Sequence, residues 1–273
     1  EYTGVFGGSL WVLCANFLLF NLLRKYSSFK DKRRFYITII PRVLLISFPI
    51  FVSLLVKPKI DKGEEFKVLI TQPKIDPWEA KYGNSKSNLD YFKIFKDLTN
   101  EELSTNEYDF VFTSETYFSE GYGENVDYFG YTKLHDSLNN YLSKFNNTNL
   151  ISGIQFYKLY QNQKEKPTKS ANPVRDNIWV DYFNSSINMS ANKGFEYNHK
   201  SKLVVGSEYM PFKSILEPII GTVMIDLGGT IRSMGTQHES ERKVFKHSLK
   251  DLKTISIVCY ETIDGEYVAN YVD

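Results

Sequence analysis

Tyr108-Asp109-Phe110-Val111-Phe112-Thr113-Ser114-Glu115 is a short apolar run that carries a carboxylate out at its end. Its aromatic and β-branched residues read as a strand. On its N-terminal side, residues 89–98 have apolar side chains at helical spacing, and 66–71 form another β-branched run that stops at Gln72-Pro73. On its C-terminal side the order repeats, with a helical pattern over 134–145 and a strand pattern over 150–160. This alternation predicts an α/β fold in which strands lie buried beneath helices. Residues 178–189, 202–205, 223–227 and 254–258 add further strand candidates, and 161–176, full of Lys, Gln, Asn and Pro, reads as a solvated loop. From residue 66 to residue 273 the chain offers about 210 residues, ample for a single core; a polar, charged stretch over 57–65 reads as a linker.

The first 56 residues are of another kind, which the overall formal charge of +1 conceals. Residues 4–23 are almost all apolar, small or aromatic, and at about 1.5 Å per residue a helix of that length crosses a hydrocarbon core of about 30 Å. Residues 35–56 form a second such stretch, interrupted by Pro41 and Arg42, which a spanning helix tolerates. Neither has the basic start and small-residue cleavage site of a signal peptide. Between them, in the loop 24–34, Arg24, Lys25, Lys30, Lys32, Arg33 and Arg34 stand against a single Asp31. That basic excess predicts a cytoplasmic loop and puts everything after residue 57 on the outer face. The competing reading is two buried helices of a soluble core.

Cys259 is the only cysteine outside these two segments, so it has no disulfide partner there and is a candidate nucleophile. It ends the apolar run Ile255-Ser256-Ile257-Val258; the alternative is a small hydrophobe filling a core. Glu115, leaving its strand, is a candidate general base in apolar surroundings, or else a helix N-terminal Glu favoured by the dipole. Lys200 and Lys202 precede Leu203, and a lysine held by Glu208 could stabilise an oxyanion; lone lysines otherwise decorate surfaces. His135, His199, His238 and His247 lack partners at zinc-ligand spacing, so neither a metal nor a cofactor is expected. Gly228-Gly229 is a turn signal and not a phosphate loop. The one dense basic run is the membrane loop, so nucleic acid is not an expected partner.

Taken in order, a Glu after an early strand, a Lys in a KxxL segment with a Glu eight residues on, and a Cys in Cys259-Tyr260-Glu261 resemble the nitrilase superfamily. With membrane helices attached, the chain is most similar to the apolipoprotein N-acyltransferases. Glu1-Tyr2-Thr3-Gly4-Val5-Phe6-Gly7-Gly8-Ser9-Leu10-Trp11 looks like the start of that family's late membrane helix, and Thr71-Gln72-Pro73-Lys74-Ile75-Asp76-Pro77-Trp78 like the start of its catalytic domain. Ile257-Val258-Cys259-Tyr260-Glu261 with Gly265-Glu266-Tyr267-Val268 is the most specific match. The resemblance implies an α-β-β-α sandwich preceded by two transmembrane helices. It implies Cys259 as nucleophile, Glu115 as general base and Lys200 facing the oxyanion, with Glu208, Tyr260, Glu261 and Trp78 in support.

The implied reaction moves a fatty acyl chain from a phospholipid to the α-amine of a diacylglyceryl-cysteine lipoprotein through a Cys thioester. The implied location is the bacterial inner membrane, with the catalytic domain on the periplasmic face. The dense aromatics Tyr117, Phe118, Tyr122, Tyr128, Phe129 and Tyr131 are expected to form a lid that dips into the interface. The family has more spanning helices before and more sandwich after, so the chain is expected to be a fragment, incomplete at its C-terminal end and inactive alone. Two other functions fit the same features: a membrane-tethered amidase in which water attacks the thioester, and a non-catalytic membrane-anchored module.

Overall fold

A computed structural model describes residues 4–26, 32–56, 63, 65–75, 86–191, 193–212 and 233–271. Trp78 and the strand and turn expected over 223–229 lie outside the described residues, as does most of the linker. The chain divides into two compact units, one containing the two N-terminal helices and the other most of the chain from Phe66 onward.

In the first unit, α1 (Gly4–Tyr26) and α2 (Lys32–Leu55) are long and apolar enough to cross a membrane. Their large side chains are open: Phe17 is 67% exposed and Leu54 70%. Polar side chains within the helices turn back on their own backbone. Asn16 donates to the Val12 carbonyl at 2.9 Å, Asn21 to Phe17 at 2.9 Å and Ser47 to Val43 at 2.8 Å, while Arg42 reaches the Thr38 carbonyl. This local pairing lets a polar group sit at apolar depth without a partner from elsewhere. Pro41 and Pro49 both lie inside α2.

In the second unit, β1 (Val68–Ile70), β2 (Phe110–Phe112) and β4 (Asn149–Gln161) run parallel. β6 (Ile178–Met189) lies antiparallel to β4 along its whole length, pairing Leu150 with Met189 and Gln161 with Ile178. Short strands complete the ladder: β3 (Glu124–Asn125) continues the β2 edge of β4, while β5 (Asn172–Arg175) and β7 (Phe195–His199) share the far edge of β6. The result among the described residues is one mixed seven-stranded sheet. β5 falls in a stretch that reads as loop, because an edge strand of four residues needs only a neighbour to pair with and little apolar pattern of its own.

Alternation sorts the sheet into two unlike faces. One is apolar, with Leu150, Ile154, Phe156, Phe183, Ile187 and Met189 in a core covered by α3 (Asn88–Thr105) and α4 (Lys133–Leu142). α3 buries Tyr91, Phe95, Thr99 and Leu103, a stripe spaced by four, and starts on a Ser87 capping box with Asp90. Tyr117, Phe118 and Phe129 belong to this core and are at most 3% exposed, so they cannot serve in a lid; Tyr122, Tyr128 and Tyr131 are exposed. Aromatic density there reflects what α3 and α4 pack against.

The other face is polar at its centre. Asn149, Asn188 and Asn198 dock a segment of the later chain: Asn188 donates to the Lys246 carbonyl at 3.0 Å and Asn198 to Lys243 at 2.7 Å, while Asn149 accepts from the Ser248 N–H at 3.1 Å. That segment includes β8 (Phe245–Lys246), which pairs with β9 (Lys253–Thr254) apart from the main sheet. Residues 255–258 are not strand, despite their composition, and 202–205 are not strand either; the strand that precedes Lys200 is β7.

His199 closes β7, stacked 4.1 Å from Phe183 with Nδ1 2.7 Å from the Ser185 hydroxyl. Burial, with Lys158 and Lys243 adding to it, lowers its imidazole from 6.5 to about 3. Between those values the unfolded chain binds a proton that the folded chain refuses, so stability falls as pH drops below 6.5. The expected slope from this group is about 1.4 kcal/mol per pH unit. Urea midpoints measured from pH 7 to pH 4 check this, with His199→Gln expected to flatten the dependence.

Candidate functional site

Beyond β2, Thr113 still pairs with β4 through its N–H to the Ile151 carbonyl, 3.1 Å, and its hydroxyl lies 2.7 Å from that of Ser152. The chain then lifts into a turn at Glu115 and Thr116, the latter at φ +47°, and rejoins β4 where the Phe118 N–H meets the Gly153 carbonyl at 3.2 Å. Gly153 lies directly under this turn. A Cβ there would stand 2.8 Å from the Glu115 carbonyl carbon and closer still to Ser114 O and Thr116 N. The absent side chain is what lets the Glu115 turn cross the sheet so closely.

β6 supplies the next part. Asn184 Nδ2 donates to Glu115 Oε1 at 2.6 Å and lies 3.5 Å from Glu208 Oε1. The Asn184 carbonyl accepts the Lys200 N–H at 2.8 Å, which extends the β7 ladder by one residue and aims Lys200 at the same spot. The Lys200 side chain has no exposed surface; its Nζ is 2.9 and 2.8 Å from the two Glu208 oxygens and 3.8 Å from Glu115 Oε1. Glu208 is itself held by the Val204 N–H at 2.9 Å, in a loop that turns at Gly206 with φ +91°. A buried ammonium is tolerable only when paired in this way. Glu115 differs from the desolvated carboxylate that the sequence suggests, since 40% of its side chain is exposed.

Cys259 starts the 3-10 turn Cys259–Ile263 and adopts φ +52°. A non-glycine residue in that region costs on the order of 1–3 kcal/mol and persists only where its surroundings enforce it. Glu261 does the enforcing. It is 1% exposed, and its carboxylate accepts from the Val258 N–H at 2.7 Å, the Ser201 N–H at 2.6 Å and the Tyr267 hydroxyl at 2.8 Å. One carboxylate thus ties the residue before Cys259 to the residue after Lys200. Burial, with the nearby Glu261, pushes the Tyr267 phenol far above its usual range, so it remains a donor. The Arg242 guanidinium stacks 4.4 Å over Tyr267 and 4.5 Å over Tyr271. The thiol itself is exposed, which removes the core-filler reading of Cys259.

Glu115 and Cys259 line one cavity of about 220 Å³ between the strand ends and the segment 255–259. The structure therefore brings Glu115, Lys200 and Glu208 into contact and puts Cys259 on a wall shared with Glu115. Tyr260 stands beside it, 36% exposed. Lys202 instead pairs with Glu239 at 2.5 Å. Asn184 and Gly153 are absent from the sequence-level candidates. The readable signal is that both are poor strand formers inside otherwise strand-like runs. No protein-family model matches the chain, and no curated protein matches it in sequence.

Proposed function

We propose that the chain is a membrane-anchored cysteine acyltransferase of the nitrilase type, acting as the apolipoprotein N-acyltransferases do. The reading rests foremost on one observation: an exposed thiol on a strained turn shares a cavity with a carboxylate whose neighbour is a fully buried, ion-paired lysine. Strain of that kind, held by a buried carboxylate, is what a site that must present a nucleophile requires.

In the first step Glu115 takes the thiol proton and the Cys259 thiolate attacks a phospholipid ester carbonyl. The C–S bond forms, the ester C–O bond breaks, and the proton passes from Glu115 to the departing lysophospholipid oxygen. Lys200 supplies the positive charge that the oxyanion needs, and Glu208 keeps that charge in position. In the second step the α-amine of a diacylglyceryl-cysteine protein attacks the thioester; C–N forms, C–S breaks, and the amine proton returns through Glu115 to the thiolate. Both substrates live in a bilayer, which accords with two apolar helices of membrane-spanning length on the same chain. By the basic loop 24–34, catalysis takes place on the outer face of a bacterial inner membrane.

The test is mass spectrometry of the intact gene product that carries these residues, in detergent with phospholipid, followed by a lipopeptide bearing a free α-amine. The expected result is a hydroxylamine-labile acyl group on Cys259 that the lipopeptide removes as an amide. An unmodified Cys259 would sink the proposal, and release as free fatty acid would assign water as the acceptor.

A further inference from the structure

Ser186 lies on the polar face of β6, paired across the sheet with Gly153 on one side and Asn198 on the other. Because the Glu115 turn crosses over Gly153, Ser186 is next to the backbone of that turn along the row. It lines the same cavity as Cys259, is 3% exposed, and its hydroxyl has no hydrogen-bond partner among the described residues. Three of the five other hydroxyls on the cavity wall are engaged: Thr113 with Ser152 at 2.7 Å, and Ser185 with His199 at 2.7 Å. Its neighbours on this face of β6 are bound as well, Asn188 to Lys246 and Asn184, through Nδ2, to Glu115. Asn184 Oδ1, however, is buried without a partner among the described residues. An unmet hydroxyl and an unmet amide oxygen two residues apart, with the Glu115 carboxylate held by the same Asn184, make a set rich in acceptors. A group bearing several N–H donors satisfies such a set.

Size points the same way. At about 220 Å³ the cavity is smaller than the roughly 300–1,000 Å³ of sites that enclose a drug-sized ligand. It has room for a few polar heavy atoms and not for a fatty chain, which must lie outside it. We infer that this cavity is the subsite for the amine-bearing terminal residue of the acyl acceptor, with the Ser186 hydroxyl as its hydrogen-bonding contact. The inference rests on the acyl-transfer reading above and adds which substrate occupies the wall between Glu115 and Cys259.

Ser186→Ala and Ser186→Val in the full chain separate the two half-reactions. Acylation of Cys259 is followed with phospholipid alone, and transfer is followed by adding lipopeptide amine to preformed acyl-enzyme. Ser186→Ala is expected to lower the ratio of transfer rate to acylation rate by about tenfold, the loss of one hydrogen bond, mainly through a higher acceptor KM. Ser186→Val, which also fills space, should lower it further. An unchanged ratio in both variants, or equal loss in both half-reactions, overturns the acceptor subsite and leaves acyl transfer standing. An intact wild-type gene product that never acylates overturns acyl transfer and this inference together.

Discussion

Lys200→Met is expected to destabilise the sheet unit by about 3–5 kcal/mol and to reduce Cys259 acylation by about 10²–10³-fold. The stability loss follows from where the charge sits. Lys200 has no exposed side-chain surface and is clasped by both oxygens of Glu208, itself only 14% exposed, with Glu115 3.8 Å away. Removing the ammonium leaves a mostly buried carboxylate with no cation and adds an apolar chain where a charge was solvated by its partners. The activity loss follows from the proposed role of that charge at the oxyanion. The two effects separate in the double variant Lys200→Met/Glu208→Gln, which discards the orphaned carboxylate. It should regain much of the stability in urea titrations of the full chain while acylation stays low. Full recovery of acylation in the double variant would mean that Lys200 acts only as a structural counter-ion.

Gly153→Ala is expected to cost about 1–3 kcal/mol and more than tenfold in acylation, although glycine contributes no functional group. The atoms a new Cβ would meet are backbone: Ser114 O, Thr116 N and the Glu115 carbonyl carbon. A flexible side chain could swing aside, but here the turn itself must lift from β4, taking Glu115 away from Asn184 and the cavity. Gly130→Ala is the matched control, since its new Cβ would meet only Phe195 Cε1 at an ordinary 3.8 Å. Equal kinetics for the two variants would show that the turn has slack and that Glu115 does not depend on its close crossing.

Some of this organisation is legible residue by residue. β6 spans the twelve residues its composition suggests because turns bound it, with Asn177 at φ +57° before it and Gly194 at φ +73° after it. α3 and α4 follow from apolar spacing plus capping by Ser87 and Thr132, and the pairing of Lys200 with Glu208 from a short separation along the chain. The apolar run 255–258 misleads because strand propensity is satisfied only by a neighbouring backbone. The Tyr117 to Tyr131 aromatics mislead because density alone does not say whether they meet lipid or core. Glu115 is more exposed than its apolar approach suggests, since burial depends on what covers a strand end and not on the strand.

The amino-acid order determined the features that depend on nearby residues: two helices of membrane-spanning length, the alternation of strand and helix, and a thiol with no disulfide partner in the sheet unit. Helical period, pleat and capping are local physics and can be read directly. Only the tertiary structure decided that Glu115 crosses the sheet over Gly153, that Asn184 holds it, and that Glu261 ties the Cys259 turn to the neighbour of Lys200. Each of those contacts joins strands or loops distant in sequence through a close approach or a buried hydrogen bond, and such contacts arise only when packing excludes water from the groups involved.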